Sequence, residues 1–231
     1  VHPDDRADVE KHMRSRQSGE DETSRYEARC VRGDGSTAYV EVLGSRIVHN
    51  GRPALMGTLV DITSRKRAEF AMDERLRFER LLAELSASFV NLSAEQIEPQ
   101  IDSSLKMLVE FLGNHRSTLI EFCEDQRHVQ VTHSYAVAEC EPFPLGPFAI
   151  DRLPWFIGQF RSGKVVFVRS VPNDLPPEAA KEKQYCATHD IKSNVAIPLK
   201  VAGSVLGAIT FAFFRQRCEW PVEIISRLQL I

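Results

Sequence analysis

The sequence predicts an α+β chain with an antiparallel three-stranded meander, a long connecting helix and a second antiparallel sheet flanked by helices. Three observations lead to this fold class. Between residues 23 and 61, strand-like alternation is interrupted by Gly-rich turns, which is typical of hairpins. Residues 64–90 contain neither Gly nor Pro and are rich in helix-favouring residues. After residue 91, helical and strand periodicities alternate again.

Composition and charge exclude several classes of protein. The 231 residues carry 29 Lys and Arg against 32 Asp and Glu, a net charge of −3, so we expect no direct nucleic-acid binding. No apolar run approaches the roughly 18 residues of a membrane span, and the first residues are not a signal peptide. We therefore expect a cytoplasmic chain without membrane contact. The five cysteines are odd in number and widely spaced, which argues against a disulfide framework or a metal site.

The first 63 residues predict one helix followed by three strands. Pro3 and the two carboxylates after it favour a helix start, and Gly19 can end that helix. Period-two alternation then predicts a strand with Tyr26, Ala28 and Cys30 on one face. Strands over about 37–48 and 54–60 follow the turn signals Arg32-Gly33-Asp34-Gly35-Ser36 and Asn50-Gly51.

An ordered set of short motifs runs through this region. The motifs are Val1-His2-Pro3-Asp4-Asp5, Asp34-Gly35-Ser36 with Tyr39, Gly57, and Asp61-Ile62-Thr63-Ser64-Arg65-Lys66-Arg67-Ala68-Glu69. In this order they resemble the C-terminal half of a PAS domain, which makes residues 1–63 a first domain. The resemblance implies that the family's first two strands and its ligand-gripping helices precede Val1. Tyr39 stands where tryptophan is usual, and Ser64 where glutamate is usual.

Residues 64–91 predict one long helix that links two domains. Asp61 can cap its first amide groups with a carboxylate oxygen. Opposite charges four residues apart favour an exposed helix, and the pairs are Arg65/Glu69, Asp73/Arg77, Arg75/Glu79 and Arg80/Glu84. Two apolar stripes run along the helix, with Ala68, Met72 and Leu76 on the first and Phe78, Leu82, Leu85 and Phe89 on the second.

Two interpretations of this helix remain open. It is either a single amphipathic helix lying on the second domain, or one strand of a parallel coiled coil that makes the protein a homodimer. We favour the coiled coil because a helix of this length between domains has little else to bury. PAS output helices of this kind also commonly dimerise. Leu81, Leu85 and Phe89 are then the predicted dimer contacts.

Residues 92–231 predict a second domain. Ser93 and Gln96 form a candidate capping box for a helix that ends at Gly113. The expected later elements are strands 117–123 and 128–135, an extended Pro-rich loop through 141–147, a helix over 153–162, a strand over 164–168, a helix from 176 to about 189, and a hairpin of strands 194–201 and 205–214. From Trp220, an apolar run predicts a truncated closing helix without a stop signal, so we expect the chain to be part of a longer protein.

Three segments of this domain carry a second resemblance. They are Leu112-Gly113-Asn114-His115-Arg116-Ser117, the stretch 191–199 and the stretch 203–211. Together they resemble the GAF domain. The shorter motifs Thr132-His133-Ser134-Tyr135, Pro154-Trp155 and Asp174-Leu175-Pro176 are similar to a subgroup found in bacterial sensor histidine kinases and enhancer-binding transcription regulators.

GAF domains bind small ligands on one face of the sheet, under the crossover helices. The resemblance therefore implies seven pocket candidates, which are His133, Tyr135, Trp155, Phe156, Phe167, Cys186 and Asn194. Structural roles compete with this interpretation. Trp155 and Phe156 fit a hydrophobic core, His133 fits a hydrogen-bonded or surface histidine, and Cys186 fits a buried thiol.

The motifs of GAF domains with known chemistry differ from this sequence. Bilin-binding relatives attach the pigment through a cysteine about ten residues before the position of Ile191, where Lys181 and Glu182 stand here, so we expect no covalent bilin. The asparagine-lysine, phenylalanine and aspartate-glutamate signature of cyclic-nucleotide-binding relatives is absent. No phosphate loop, His-Glu-x-x-His motif or nucleophile elbow occurs, so we expect no catalytic residues. The identity of any cofactor is left open.

The sequence thus predicts the PAS–GAF sensory segment of a bacterial signalling protein. Such a segment either binds a small ligand or relays a signal through a dimeric helix. In both cases the output goes to an effector, such as a kinase or ATPase domain. Two alternatives stay open. One is a redox enzyme similar to free methionine sulfoxide reductases, built on Cys123, Cys140 and Cys186. The other is a ligand-free dimerisation module whose pocket is filled by its own side chains.

Overall fold

The computed structural model describes residues 1–125, 127–215, 217–218, 225–226 and 228. The chain divides into two compact units, Val1–Leu81 and Leu82–Ile231. Each unit contains an antiparallel sheet with helices, which confirms the predicted α+β class. The predicted closing helix from Trp220 lies for the most part outside the described residues. None of the helices in the described ranges has the length and apolar content that crossing a bilayer requires.

The first unit begins with one helix and a three-stranded meander, as predicted. A 3-10 turn at Pro3–Asp5 leads into α1 (Arg6–Ser18), and Gly19 ends this helix in a left-handed conformation. The strands pair in chain order as β1 (Thr23–Val31), β2 (Thr37–His49) and β3 (Arg52–Asp61). Asn50 and Gly51 both have positive φ, as a two-residue hairpin turn of this twist requires.

The long helix α2 (Thr63–Ser88) is continuous over 26 residues. Its first turn is tied to the meander. Asp61 accepts the backbone N–H of Thr63 at 2.9 Å, and the Thr63 hydroxyl accepts the backbone N–H of Tyr39 at 3.0 Å. Lys66 Nζ lies 2.6 Å from a carboxylate oxygen of Glu27 in β1, and this contact lowers the pKa of Glu27. These contacts anchor the start of α2 on all three strands of the meander.

The second unit contains a six-stranded antiparallel sheet between helices. Its elements in chain order are α3 (Ala94–Leu112), β4 (Arg116–Phe122), β5 (His128–Ala136), β6 (Gly146–Ala149), α4 (Pro154–Arg161), β7 (Val166–Val168), α5 (Ala180–Thr188), β8 (Ser193–Val201) and β9 (Ser204–Phe213). The strands pair in the order β6-β5-β4-β9-β8-β7. Helix α3 contacts β4 and β5, whereas α4 contacts β7, β8, β9 and α5. The backbone N–H of Ser93 donates to Gln96 Oε1 at 2.9 Å, so the predicted capping box is present.

Two segments of the second unit differ from prediction, both because of proline. The Pro-rich loop runs into an edge strand, β6, which was not predicted. Pro147 is accommodated there because an edge position leaves one side of the strand without a hydrogen-bonding neighbour. Helix α5 begins at Ala180, four residues later than predicted, since Pro176-Pro177 disfavours helical backbone in the residues before each ring.

The last turns of α2 pack inside the second unit. Leu82, Leu85 and Phe89 line a groove of about 270 Å³ together with residues of α3 and of the sheet. Leu85 is only 5% exposed and Leu81 only 4% exposed in the single chain, whereas Phe89 is 43% exposed. The assignment of Leu81 and Leu85 as contacts between two copies is therefore corrected, because both side chains are already covered within one chain. Met72 and Leu76, on the other predicted stripe, are exposed.

We expect Gly207→Ala to destabilise the second unit, because a Cβ at this position of β9 would overlap the backbone oxygen of Ile120 in β4. The expected loss is about 1–3 kcal/mol of unfolding free energy, the usual cost of overpacking. Gly158→Ala is the matched control, since nothing lies within 4 Å of its Cβ position in α4, and it should stabilise by up to about 1 kcal/mol. Urea unfolding followed by circular dichroism measures both changes, and an unchanged midpoint for Gly207→Ala would contradict the close approach of the two strands.

Candidate functional site

A cavity of about 50 Å³ lies between one face of the six-stranded sheet and helices α4 and α5. Side chains of α4 such as Phe156 and Phe160 form its roof, and residues of β4, β8 and β9 form its floor. Pockets for drug-sized ligands enclose roughly 300–1,000 Å³. The space present here therefore suits a molecule of only a few heavy atoms.

Strand pairing arranges the floor of the cavity in rows. The rows are Arg116–Ala212–Asn194, then Thr118–Thr210–Ala196, then Ile120–Ala208. Successive rows lie about 7 Å apart, because each strand advances about 3.3 Å per residue. The cavity consequently changes along the strands from charged and polar at one end to apolar at the other.

Arg116 occupies the polar end and is 8% exposed. Its guanidinium donates at 3.5 Å to the backbone carbonyl of Glu141 and at 3.5 Å to the hydroxyl of Tyr185, and both acceptors are uncharged. The rings of Phe143 and Phe214 lie 5.4 Å and 4.9 Å from the guanidinium carbon. No acidic side chain in the described ranges forms an ion pair with Arg116. The cavity thus holds a buried cation whose charge is met only by neutral groups.

The neighbouring groups at this end add positive charge and aromatic surface. The guanidinium carbon of Arg152 lies 5.8 Å from the ring of Tyr185, and that ring lies 4.4 Å from the ring of His189. Burial raises the pKa of Tyr185 and lowers the pKa of His189, which Arg116 and Arg152 lower further. At neutral pH Tyr185 therefore keeps its proton and His189 is neutral, so the two arginines carry the positive charge.

Cys186 and Glu182 lie one turn apart on α5. Burial raises the pKa of Cys186 to about 12, and the nearby Glu182 contributes to the shift. The thiol is therefore protonated and a poor nucleophile. Glu182 Oε1 accepts the backbone N–H groups of Trp155 and Phe156 at 2.8 Å and 3.4 Å, which places a carboxylate at the N-terminus of α4.

Three of the seven pocket candidates line this cavity, namely Phe156, Cys186 and Asn194. Trp155 does not line it and instead packs beside Phe156, with ring centroids 5.5 Å apart. Phe167 is the central residue of β7, between Val166 and Val168, which belong to the core around the cavity. Because side chains alternate along a strand, Phe167 lies on the opposite face of the sheet.

A β-bulge places His133 and Tyr135 on the face opposite the cavity. The pairings that show it are Ile120 with Val131 and Leu119 with His133, so β5 contains an extra residue at Thr132. Alternation from Val131 without the bulge would have put His133 and Tyr135 into the cavity. Their assignment to the pocket is corrected for this reason.

The bulge brings different side chains to each face. Ser134 takes the position on the cavity side, where its hydroxyl lies 3.1 Å from that of Thr118 and accepts the backbone N–H of Phe143. On the opposite face, His133 Nε2 lies 2.9 Å from a carboxylate oxygen of Glu98 in α3. His133 is therefore part of the contact between α3 and the sheet.

Arg116 and Tyr185 were missed as candidates from the sequence. Arg116 shares a strand face with Thr118 and Ile120, so period-two alternation along β4 was the signal that could have found it. No periodicity marks Tyr185, because it is adjacent in sequence to Cys186 and both side chains line the cavity. Within the described ranges, no group of three or more His, Cys, Asp and Glu side chains is arranged to hold a metal ion.

Comparison with known proteins agrees with this architecture. Residues 96–231 match the family model of the GAF domain. The phycocyanobilin-bound GAF domain of a cyanobacterial phytochrome is 18% identical, with a TM-score of 0.54 over 68% of this chain and 88% of that one. The chromophore-binding domain of a Stigmatella aurantiaca phytochrome is 14% identical, with a TM-score of 0.55 over 100% of this chain and 78% of that one.

No curated protein matches the sequence. At the low identities of the two solved structures, the likeness concerns the fold. The family match, in contrast, spans more than half of the chain and includes α3, the six-stranded sheet and the cavity. The chain belongs to the GAF domain family.

Proposed function

We propose that this chain is a cytoplasmic sensory segment of a bacterial signalling protein, and that its GAF unit binds a small ligand in the cavity under α4 and α5. The observation that carries this proposal is the set of unused polar groups in that cavity. Asn194 and Thr210 line it, and neither side chain forms a hydrogen bond to another residue of the described ranges. Polar side chains in enclosed sites usually have partners, so both are available to a ligand.

The ligand proposed here is smaller than a bilin and not covalently attached. The phycocyanobilin-bound domain shows that the fold can hold a pigment, but the present cavity measures about 50 Å³. Glu182 stands near the position of the expected attachment cysteine, and its buried carboxylate caps α4. Both features support a compact, non-covalent ligand.

The N-terminal unit is proposed to be the C-terminal half of a PAS domain. Its helix and three-strand meander fit that family, as does the order of its motifs. The contacts of Asp61, Thr63 and Lys66 join the last strand and β1 to the start of α2. This arrangement supports a role in which a change in the meander moves the helix, and a histidine kinase or an enhancer-binding regulator is the proposed context.

The chain is further proposed to form a homodimer through α2. The exposed stripe of Met72 and Leu76 supports this interface, because exposed apolar side chains at i,i+4 spacing favour pairing with a second helix. Ion pairs between Arg75 and Glu79 and between Arg65 and Glu69 lie on the same helix. The proposed dimer contacts are therefore Met72 and Leu76 on the first apolar stripe, rather than Leu81 and Leu85.

A redox enzyme is the weaker alternative. Cys123 follows the end of β4 and Cys140 follows the end of β5. Because these strands are antiparallel, the two cysteines lie near opposite ends of the strand pair. Seven residues at about 3.3 Å each separate them by about 20 Å. The pKa of Cys186 is about 12, which disfavours a reactive thiolate. These positions support a binding role, and we propose that this segment has no enzyme activity.

Native mass spectrometry tests whether the cavity is a binding site. We expect the purified chain to carry, or to take up from a metabolite mixture, one small molecule per GAF unit. Asn194→Leu, which fills the cavity with an apolar side chain, should lose that molecule. Lys200→Leu is the matched control on the exposed part of β8 and should retain it. A wild-type chain that binds nothing would favour the ligand-free dimerisation module.

Sedimentation velocity tests the dimer. Leu76→Arg should give folded monomers, because it places a charge in the proposed interface. Leu85→Arg should instead lower the unfolding temperature, because Leu85 is buried within its own chain. A folded monomer from Leu85→Arg together with an intact dimer from Leu76→Arg would return the interface to the second stripe.

A further inference from the structure

We propose that the ligand of the GAF cavity is a small monocarboxylate whose carboxylate group pairs with Arg116. This inference rests on the proposed function, since it names the chemical class of a ligand bound in the same cavity.

Arg116 lacks a counter-charge among the described residues. Arg116 is 8% exposed, so its guanidinium loses most of its hydration, and such a charge is normally paired with an anion. Arg116 has five N–H donors, and its two hydrogen bonds reach neutral acceptors at the long distance of 3.5 Å. Glu182 is a buried carboxylate of this region, but its Oε1 accepts the N-terminal amides of α4, its Oε2 has no hydrogen-bond partner in the described ranges, and neither oxygen forms an ion pair with Arg116. An incoming carboxylate would supply the charge that the described residues do not.

The shape of the guanidinium suits a carboxylate. Arginine presents a planar pair of donors that matches the two oxygens of a carboxylate. The rings of Phe143 and Phe214 lie beside the guanidinium and hold it in an apolar setting, where a charge-assisted hydrogen bond is strengthened. Tyr185 can add a hydroxyl donor, because its raised pKa keeps it protonated.

Polarity decreases along the strands that form the cavity floor. From the row of Arg116 and Asn194, the floor passes through Thr118 and Thr210 to the apolar row of Ile120. A short acid matches this order, with its carboxylate at Arg116 and its carbon chain toward Ile120. A phosphate dianion fits less well, because among the described residues Arg116 is the only cation that lines the cavity, and Arg152 lies beside it without entering the lining. The volume of about 50 Å³ limits the acid to a few heavy atoms.

The experiment compares charged and neutral probes of the same shape. Isothermal titration and thermal-shift assays are run with sodium acetate, sodium propionate, acetamide, propionamide and sodium phosphate at constant ionic strength. We expect each carboxylate to bind at least tenfold more tightly than its amide. In Arg116→Met the carboxylate affinity should fall at least tenfold, while the unfolding temperature without ligand stays the same or rises, because an unpaired buried charge has been removed.

Arg169→Met is the matched control, since Arg169 stacks on Phe167 away from the cavity, and it should leave carboxylate binding unchanged. Should Arg116→Met fail to fold, Arg116→Lys retains the charge without the planar pair of donors and should weaken carboxylate binding. The comparison of acids with amides on the unmodified chain remains decisive in either case.

The outcomes separate this inference from the proposed function. Three results would overturn the carboxylate while leaving a ligand-binding unit. Amides could bind as tightly as acids, phosphate could bind more tightly than acids, or native mass spectrometry could find an uncharged co-purified molecule. No binding of any probe, together with no co-purified molecule, would overturn both. A co-purified molecule that bears a carboxylate and is lost in Arg116→Met would support the inference.

Discussion

The close pairing of β4 with β9 is the constraint on which the second unit depends. Gly207 lies so near the backbone oxygen of Ile120 that a side chain cannot be accommodated there. This approach fixes the register in which Arg116 meets Ala212, and Ala212 in turn meets Asn194 of β8. The small side chain of Ala212 leaves space between the two polar residues. The arrangement of the cavity floor and the position of its polar end therefore follow from strand register, while side chains of α4 and α5 close it from above.

Two buried charges near the cavity show how differently the fold treats them. Glu182 is fully buried and accepts two backbone N–H groups at the start of α4, where the helix dipole favours negative charge. Arg116 has no comparable partner in the described ranges, only aromatic rings and two distant neutral acceptors. A fold that depended on Arg116 for stability would be expected to pair it, because an unpaired buried ion destabilises. The asymmetry is the observation behind the binding role proposed above for Arg116, whereas Glu182 caps α4.

The sequence predicted the elements well where local chemistry decides the structure, and less well where long-range pairing decides it. The turns at Asn50-Gly51 and the capping box at Ser93 depend on a few adjacent residues, and both form as predicted. The face of β5 depends on one extra residue at Thr132, which hydrophobic alternation cannot reveal, and this residue displaced His133 and Tyr135 from the site. Phe156, Cys186 and Asn194 were predicted as pocket residues from the resemblance to GAF domains, and all three line the cavity. The burial of Leu85 was missed because helical spacing identifies an apolar stripe but not the surface that covers it.

The cavity and the last turns of α2 lie on opposite faces of the same sheet, and β4 is the element that they share. Thr118 and Ile120 line the cavity, whereas Leu119 between them lines the groove that contains Leu85 and Phe89. A close-packed strand cannot shift one face without the other, because the backbone between alternate side chains is common to both. A ligand bound as proposed would bias the packing of α2 only if it preferred one position of β4, and by no more than its difference in affinity for the two positions. In the proposed function, the shared strand β4 would be the path between the cavity and α2, and no direct contact between the ligand and α2 would be required.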